Sequence, residues 1–139
     1  MVLHDIEDKN TPAKWATMVP LIGGSAFGCH ESTGTKPQYN MSYTPFAANE
    51  IPVFLIDEDK DPLQEHPEQL HFVNSVCPCA GLSQLSTAKA GSDARAAQNK
   101  WMFEGAEYVL GHIQPMVYWG ENAPALFTNS GKDVRDTLK

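Results

Sequence analysis

A parallel β-sheet layered between helices, an α/β fold, is what this 139-residue sequence predicts. Three observations predict it. Short apolar runs alternate along the chain with segments of helical spacing. Each run is closed by glycine, proline or an acidic cluster. The segments richest in chemistry, Gly23-Gly24, Cys77-Pro78-Cys79 and Glu121-Asn122, each follow such a run, as ligand-binding residues do at the carboxyl ends of parallel strands.

Residues 1–14 are polar and read as a flexible N-terminal arm. Trp15 to Ile22 is mostly apolar and reads as the first strand, closed by Gly23-Gly24. Ser25 to Thr33 follows as a short helix with Gly34 as its stop. Tyr39 to Phe46 alternates aromatic and polar residues, the pattern of a second strand. Ile51 to Ile56 is a short apolar run that ends at an acidic loop, and His71 to Val76 is another strand. Gln84 to Gln98 is rich in small and polar residues and reads as a mobile loop. Asn99 to Ile113 is the strongest helix, with Trp101, Met102, Ala106, Val109, Leu110 and Ile113 at helical spacing. The Gln114-Pro115 step ends it. Met116 to Trp119 reads as a strand, and Ser130 to Leu138 as a last helix with Val134 and Leu138 on its apolar seam. No repeat or linker divides residues 15–139, which read as one domain.

Composition narrows the function. Ten basic and 17 acidic side chains give a net charge of −7. That argues against a self-sufficient nucleic-acid binder, because phosphate contacts need Lys and Arg. The stretch from Gln84 to Lys100 differs, since Lys89, Arg95 and Lys100 outnumber Asp93 there. No apolar run approaches the roughly 20 residues of a membrane span. The N-terminus shows no export signal. Three cysteines, two of them separated by one proline, suit a reducing cytoplasm better than a disulfide framework.

Four features carry chemistry. Glycines after the first strand let backbone approach a ligand, and the helix start beyond them offers free N–H groups. Glu50, 22 residues after Gly28, is placed to accept both hydroxyls of a ribose, although a solvated loop carboxylate explains it equally well. Cys79 lies on a Pro-Cys-Ala-Gly loop, outside helix and strand, where a thiol serves as a nucleophile if a neighbour takes its proton. Glu121 follows Val117-Tyr118-Trp119-Gly120, and a carboxyl dehydrated by aromatic neighbours favours its protonated form, as a general acid requires. A loop salt bridge is the plainer reading of that residue. Cys77, Cys79, Cys29 and His30 do not match structural zinc spacing, so no metal is expected.

Taken as an ordered set, these pieces resemble the amino-terminal part of the catalytic domain of a DNA cytosine-5 methyltransferase, closest to phage-type members. The resemblance runs from about Met18 to Lys139. It rests on Ile22-Gly23-Gly24 through Gly28 as the cofactor loop, Glu50 as the ribose acid, Pro78-Cys79 with Gly81 and Ser83 as the nucleophile loop, and Glu121-Asn122 as the Glu-Asn pair. Leu21, Val19, Ala80 and Ala123 depart from the residues usual in the family.

The resemblance implies an incomplete Rossmann-like three-layer sandwich that transfers a methyl group from S-adenosylmethionine to carbon 5 of cytosine in DNA. Cys79, Glu121 and Asn122 would be catalytic. Ile22, Gly23, Gly24, Gly28, Glu50, Asp59 and Pro78 would hold the cofactor, with Asp59 favoured over Asp57 and Asp61 for the adenine amino group. Ser83, Lys89 and Arg95 would meet double-stranded DNA carrying a flipped cytosine. The family's Gln-Arg-Arg segment and target-recognition region are not in this sequence, so a missing C-terminal half or a second subunit is an expected partner. The expected setting is a bacterial cytoplasm, with DNA methylation of the restriction-modification kind or phage self-protection as its context. Two rival readings stand beside it: a catalytically inactive methyltransferase-like binding module, and an S-adenosylmethionine-dependent enzyme acting on a small nucleotide.

Overall fold

A computed structural model describes residues 11–19, 23–48, 50–58, 60–77, 93–122, 124–128 and 131–137, with backbone only for 93–98, 125, 133, 134 and 137. Five short strands form one sheet: β1 (Trp15–Met18), β2 (Asn40–Ser42), β3 (Val53–Leu55), β4 (Phe72–Val76) and β5 (Val117–Glu121). Every neighbouring pair is parallel, and the spatial order is β3-β2-β1-β4-β5. The chain works outward from β1 through β2 to β3, then returns to the other side of β1. That reversal falls between β1 and β4, and the carboxyl ends of strands at such a switch point are where open α/β sheets bind ligands.

The pairing register sorts side chains onto two faces. Ala16, Met18, Met41, Phe54, Val73 and Tyr118 share one face. With Tyr39, Leu70, Val109 and Ile113 most of them make the main core. Helix α3 (Asp93–Tyr108) covers this face. It lies close, since a Cβ on Gly105 would stand 2.6 Å from Met18 Cε. The opposite face presents Trp15, Thr17, Asn40, Phe72 and Asn74, and helix α1 (Gly24–Thr33) packs there. Trp15 stacks on Phe72 with ring centroids 5.3 Å apart, and its Nε1–H donates to Thr35 Oγ1 at 2.9 Å. Thr17 Oγ1 donates to Asn40 Oδ1 at 2.6 Å, which satisfies two buried polar groups across neighbouring strands.

Several boundaries differ from the sequence reading. The first strand stops at Met18, and Val19 turns to φ 48, a left-handed conformation that is strained for a β-branched residue. The second strand is three residues long, where Tyr39 to Phe46 was expected. Residues 11–14 are not a loose arm. His71 N–H donates to Lys14 O at 2.8 Å, Lys14 N–H donates to His71 Nδ1 at 2.9 Å, and Lys14 Nζ pairs with Glu68. Residues 1–10 lie outside the described part. Residues 93–98, expected in a loop, form the first turns of α3. Ala94, Ala96 and Ala97 are small, but alanine is the best helix former.

A five-residue π-helical segment, Val109–Ile113, continues α3. It closes with Gln114 N–H donating to Val109 O at 2.8 Å. Val109 and Ile113 are buried, whereas Leu110, assigned to the same seam, is 57% exposed. The last helix, α4, is described over Lys132–Thr137, and Ser130 and Leu138, the expected ends, lie outside the described residues.

Helix α2 (Pro62–Glu65) was not foreseen. Asp61 caps it by accepting from Leu63 N–H at 2.9 Å, and also meets His112 Nε2 at 2.9 Å, which joins α2 to the π-helical turn. Burial pushes the Asp61 carboxyl up, but the His112 and Leu63 hydrogen bonds and the nearby imidazole charge outweigh it, so the net direction is down. A carboxylate lowered in the folded state stabilises above its unfolded pKa, about 3.9, and that contribution is lost as pH falls through the folded value. Asp61→Ala should therefore cost about 1 kcal/mol in urea unfolding at pH 7. The gap from the natural protein should close as the medium is acidified below about pH 4. A gap of the same size at low pH would show that the carboxylate is not its source.

Candidate active site at the carboxyl edge of the sheet

The loops leaving β1, β4 and β5 share one edge because the three strands run parallel and are adjacent. Gly23 ends the first of these loops at φ 81, the N-cap of α1. Among the described residues no side chain caps that helix start, and the first N–H groups of a helix suit an outside acceptor. Left-handed backbone here favours glycine on conformational grounds alone. Gly24 and Gly28 are exposed on α1, with open space where a Cβ would lie. Nothing in the protein itself demands glycine at those two positions. Ile22 lies outside the described residues.

Strand β4 runs Phe72-Val73-Asn74-Ser75-Val76 and hands the chain to Cys77. Cys77 is 5% exposed, its Sγ 3.1 Å from Ser75 Oγ. Burial pushes its thiol up, offset in part by the Ser75 hydroxyl. It is a protonated structural thiol at neutral pH, in keeping with its assignment to the strand end. Pro78, Cys79, Ser83 and Lys89 lie outside the described residues, as does Asp59. Arg95 falls on the backbone of α3.

Strand β5 carries the acid. Val76 of β4 pairs with Glu121 of β5, and neighbouring strands lie about 4.8 Å apart. Glu121 thus stands on the strand beside the one that leads, three residues on, to Cys79. Asn122 follows, and its Nδ2–H donates to Cys77 O at 3.4 Å. The Glu-Asn segment is tied to the base of the cysteine segment. The dehydration expected of Glu121 is not found, because Glu121 is exposed on an edge strand. Tyr118 is the aromatic residue turned inward, and its hydroxyl is pushed up by burial. Alternation along β5 leaves Trp119 facing the other way, 49% exposed.

Glu50 is the clearest correction. A ribose held at the carboxyl edge is out of its reach. The chain leaves β2 at that edge and must cross back before β3 can run parallel to β2, and residues 43–52 make the crossing. Glu50 therefore lies at the amino edge, exposed, with Lys36 Nζ 3.8 Å away. Asp57 and Glu58, just past the end of β3, are exposed carboxylates on the carboxyl edge, as is Glu121 at the end of β5. Of the three aspartates weighed for adenine, Asp59 lies outside the described residues, Asp61 is taken by α2 and His112, and Asp57 lies exposed just past β3. Ile56-Asp57-Glu58 directly after an apolar run was the signal that marked it.

No family model and no curated protein sequence matches this chain. Among the described residues no group of three or more His, Cys, Asp or Glu side chains is arranged to hold a metal, and no helix is long and apolar enough to cross a membrane.

Treating the folded protein with iodoacetamide at pH 7, followed by peptide mass mapping, should leave Cys77 unmodified until urea is added. Labelling of Cys77 at the same rate in folded and denatured protein would contradict its burial and the packing of Ser75, Cys77 and Met102.

Proposed function

We propose that this chain is the cofactor- and base-handling part of an S-adenosylmethionine-dependent DNA cytosine-5 methyltransferase, of the Rossmann-like methyltransferase type. The observation that carries the reading is the β4–β5 register. It sets Glu121 opposite Val76, and Asn122 bonds the Cys77 carbonyl. A strand-end acid is thereby brought beside the segment that continues into Pro78-Cys79. Gly23 at its left-handed turn and the start of α1 suit the methionine end of the cofactor, and Asp57 and Glu58 would serve the ribose in place of Glu50, with Asp59 kept for the adenine amino group. When bound, S-adenosylmethionine supplies an electrophilic methyl group.

Carbon 5 of cytosine is a poor nucleophile until the ring is activated. The Cys79 thiolate adds to carbon 6, and the electron pair released into the ring makes carbon 5 nucleophilic. Glu121 donates a hydrogen bond or its proton to ring N3 and stabilises the charge that develops there. The flipped base, meeting Glu121 edge-on, would exclude water from a carboxyl that is otherwise exposed. Asn122 holds the Glu121 segment against the Cys77 carbonyl. The methyl group would pass to carbon 5 as its bond to the cofactor's sulfonium sulfur breaks, leaving S-adenosylhomocysteine; loss of the carbon 5 proton to water would then re-form the C5–C6 double bond and expel the Cys79 thiolate. The target atom is inaccessible in a duplex, so the base must be flipped, at a cost of a few kcal/mol.

The edge strand β5 leaves Val117 and Trp119 exposed, beside Met116 at 58%. An apolar strand edge invites a covering partner. In this reading the partner is the remaining half of the methyltransferase domain or a second subunit, which would also bring the basic surface for DNA. Ala80 in place of the family's glutamine, together with the solvated Glu121, favours a second reading as a non-catalytic binding module.

Covalent trapping separates the two. Duplex DNA containing 5-fluorocytosine, incubated with S-adenosylmethionine and the protein, alone and with a candidate completing polypeptide, should yield an adduct that Cys79→Ser abolishes. Glu121→Gln should slow methyl transfer by about 10²–10⁴-fold. An adduct that survives Cys79→Ser, or none under either condition, would overturn the catalytic reading.

A further inference from the structure

Asn74 is an unusual residue for its place. It is the middle residue of β4, inside a parallel sheet, where apolar β-branched side chains are the norm. It is 2% exposed. Its Nδ2–H donates to Ser25 Oγ at 2.6 Å, across 49 positions of sequence. Its Oδ1 is buried and has no hydrogen-bond partner among the described residues. A valine would fill the strand without burying an unpaired acceptor, so stability does not account for the choice.

Ser25 lies in the first turn of α1, two residues after the left-handed Gly23. Asn74 lies in the strand that leads, five residues on, to Cys79. One buried hydrogen bond therefore joins the helix start behind the glycine turn to the strand behind the cysteine segment. Main-chain pairing of β1 with β4 fixes the strands but not the tilt of α1 above them, and α1 makes few other contacts with the sheet.

We infer that Asn74 is a positioning residue whose amide, through Ser25, holds the glycine turn at a set distance from strand β4. The inference rests on the methyltransferase reading. That reaction must deliver a methyl group to the ring atom adjacent to the one the thiolate attacks, so the cofactor turn and the cysteine strand have to keep one spacing. A misplacement of about 1 Å in such an arrangement costs on the order of 10²-fold in rate.

The test uses Ser25→Ala, Ser25→Thr, Asn74→Leu and the Ser25→Ala/Asn74→Leu double variant. Calorimetry with S-adenosylhomocysteine and a thermal melt are run on each. Ser25→Ala and Asn74→Leu should each weaken binding about ten-fold, the loss of one hydrogen bond. The double variant should bind no worse than the weaker single, because both remove the same bond. Ser25→Thr, which keeps the hydroxyl, should retain the affinity. Asn74→Leu should melt no lower than the natural chain. If Asn74→Leu does not fold, the Ser25→Ala and Ser25→Thr pair decides the matter, since Ser25 is only half-buried. Natural protein that binds the ligand, with variants that bind it equally, overturns this inference alone. Losses that multiply in the double variant overturn it as well. Natural protein with no affinity for the ligand removes the methyltransferase reading and this inference together.

Discussion

Parallel pairing is the constraint on which this molecule depends. All five strands point the same way, so every connection must leave at one edge and re-enter at the other. The edge where strands end therefore collects the loops that leave them, and the other edge collects the returns. The rule gathers Gly23, Asp57, Cys77 and Glu121 on one side of the sheet, and it carries Glu50 to the other. A side chain moves from one group to the other when a strand ends four residues earlier than its pattern suggests, as β2 does at Ser42 rather than Phe46.

The two faces of the sheet are built for different tasks. The face under α3 is a close-packed apolar layer, where Gly105 lets the helix rest on Met18 and the π-helical turn swings Val109 and Ile113 inward. It holds the strands at fixed spacing. The face under α1 is more polar, with Thr17, Asn40 and Asn74 buried along it. Polar groups on that scale weaken a core unless each finds a partner. Thr17 and Asn40 satisfy each other, and Asn74 reaches Ser25. Polarity placed under the helix that carries the glycine turn sits where a ligand site needs directional contacts rather than grease.

Much of this was legible in the residues. Trp15 to Ile22 and His71 to Val76 read as strands because buried parallel strands are nearly continuous apolar runs, and β1 and β4 lie within them. Gly34 announced the end of α1, and Gln114-Pro115 the end of the long helix. The Glu121-Asn122 pair was recognisable from its place after a strand. What misled was local. Alanines in 94–97 were taken for loop because they are small. The aromatic and polar alternation past Ser42 looked like continued strand, although Tyr43 instead turns back to stack on Trp101, with ring centroids 4.9 Å apart. Asn74 attracted no notice, because nothing in a sequence says that a strand asparagine has a serine 49 positions away to hold.

The amino-acid sequence alone determined the α/β fold class and the order of its strands, since these follow from periodicity, turn residues and side-chain type. Only the tertiary structure decided which residues meet. Pairing partners and register are long-range choices, set by packing over the whole sheet. They placed Glu121 beside Val76, sent Glu50 to the far edge, and buried one amide between a helix and a strand.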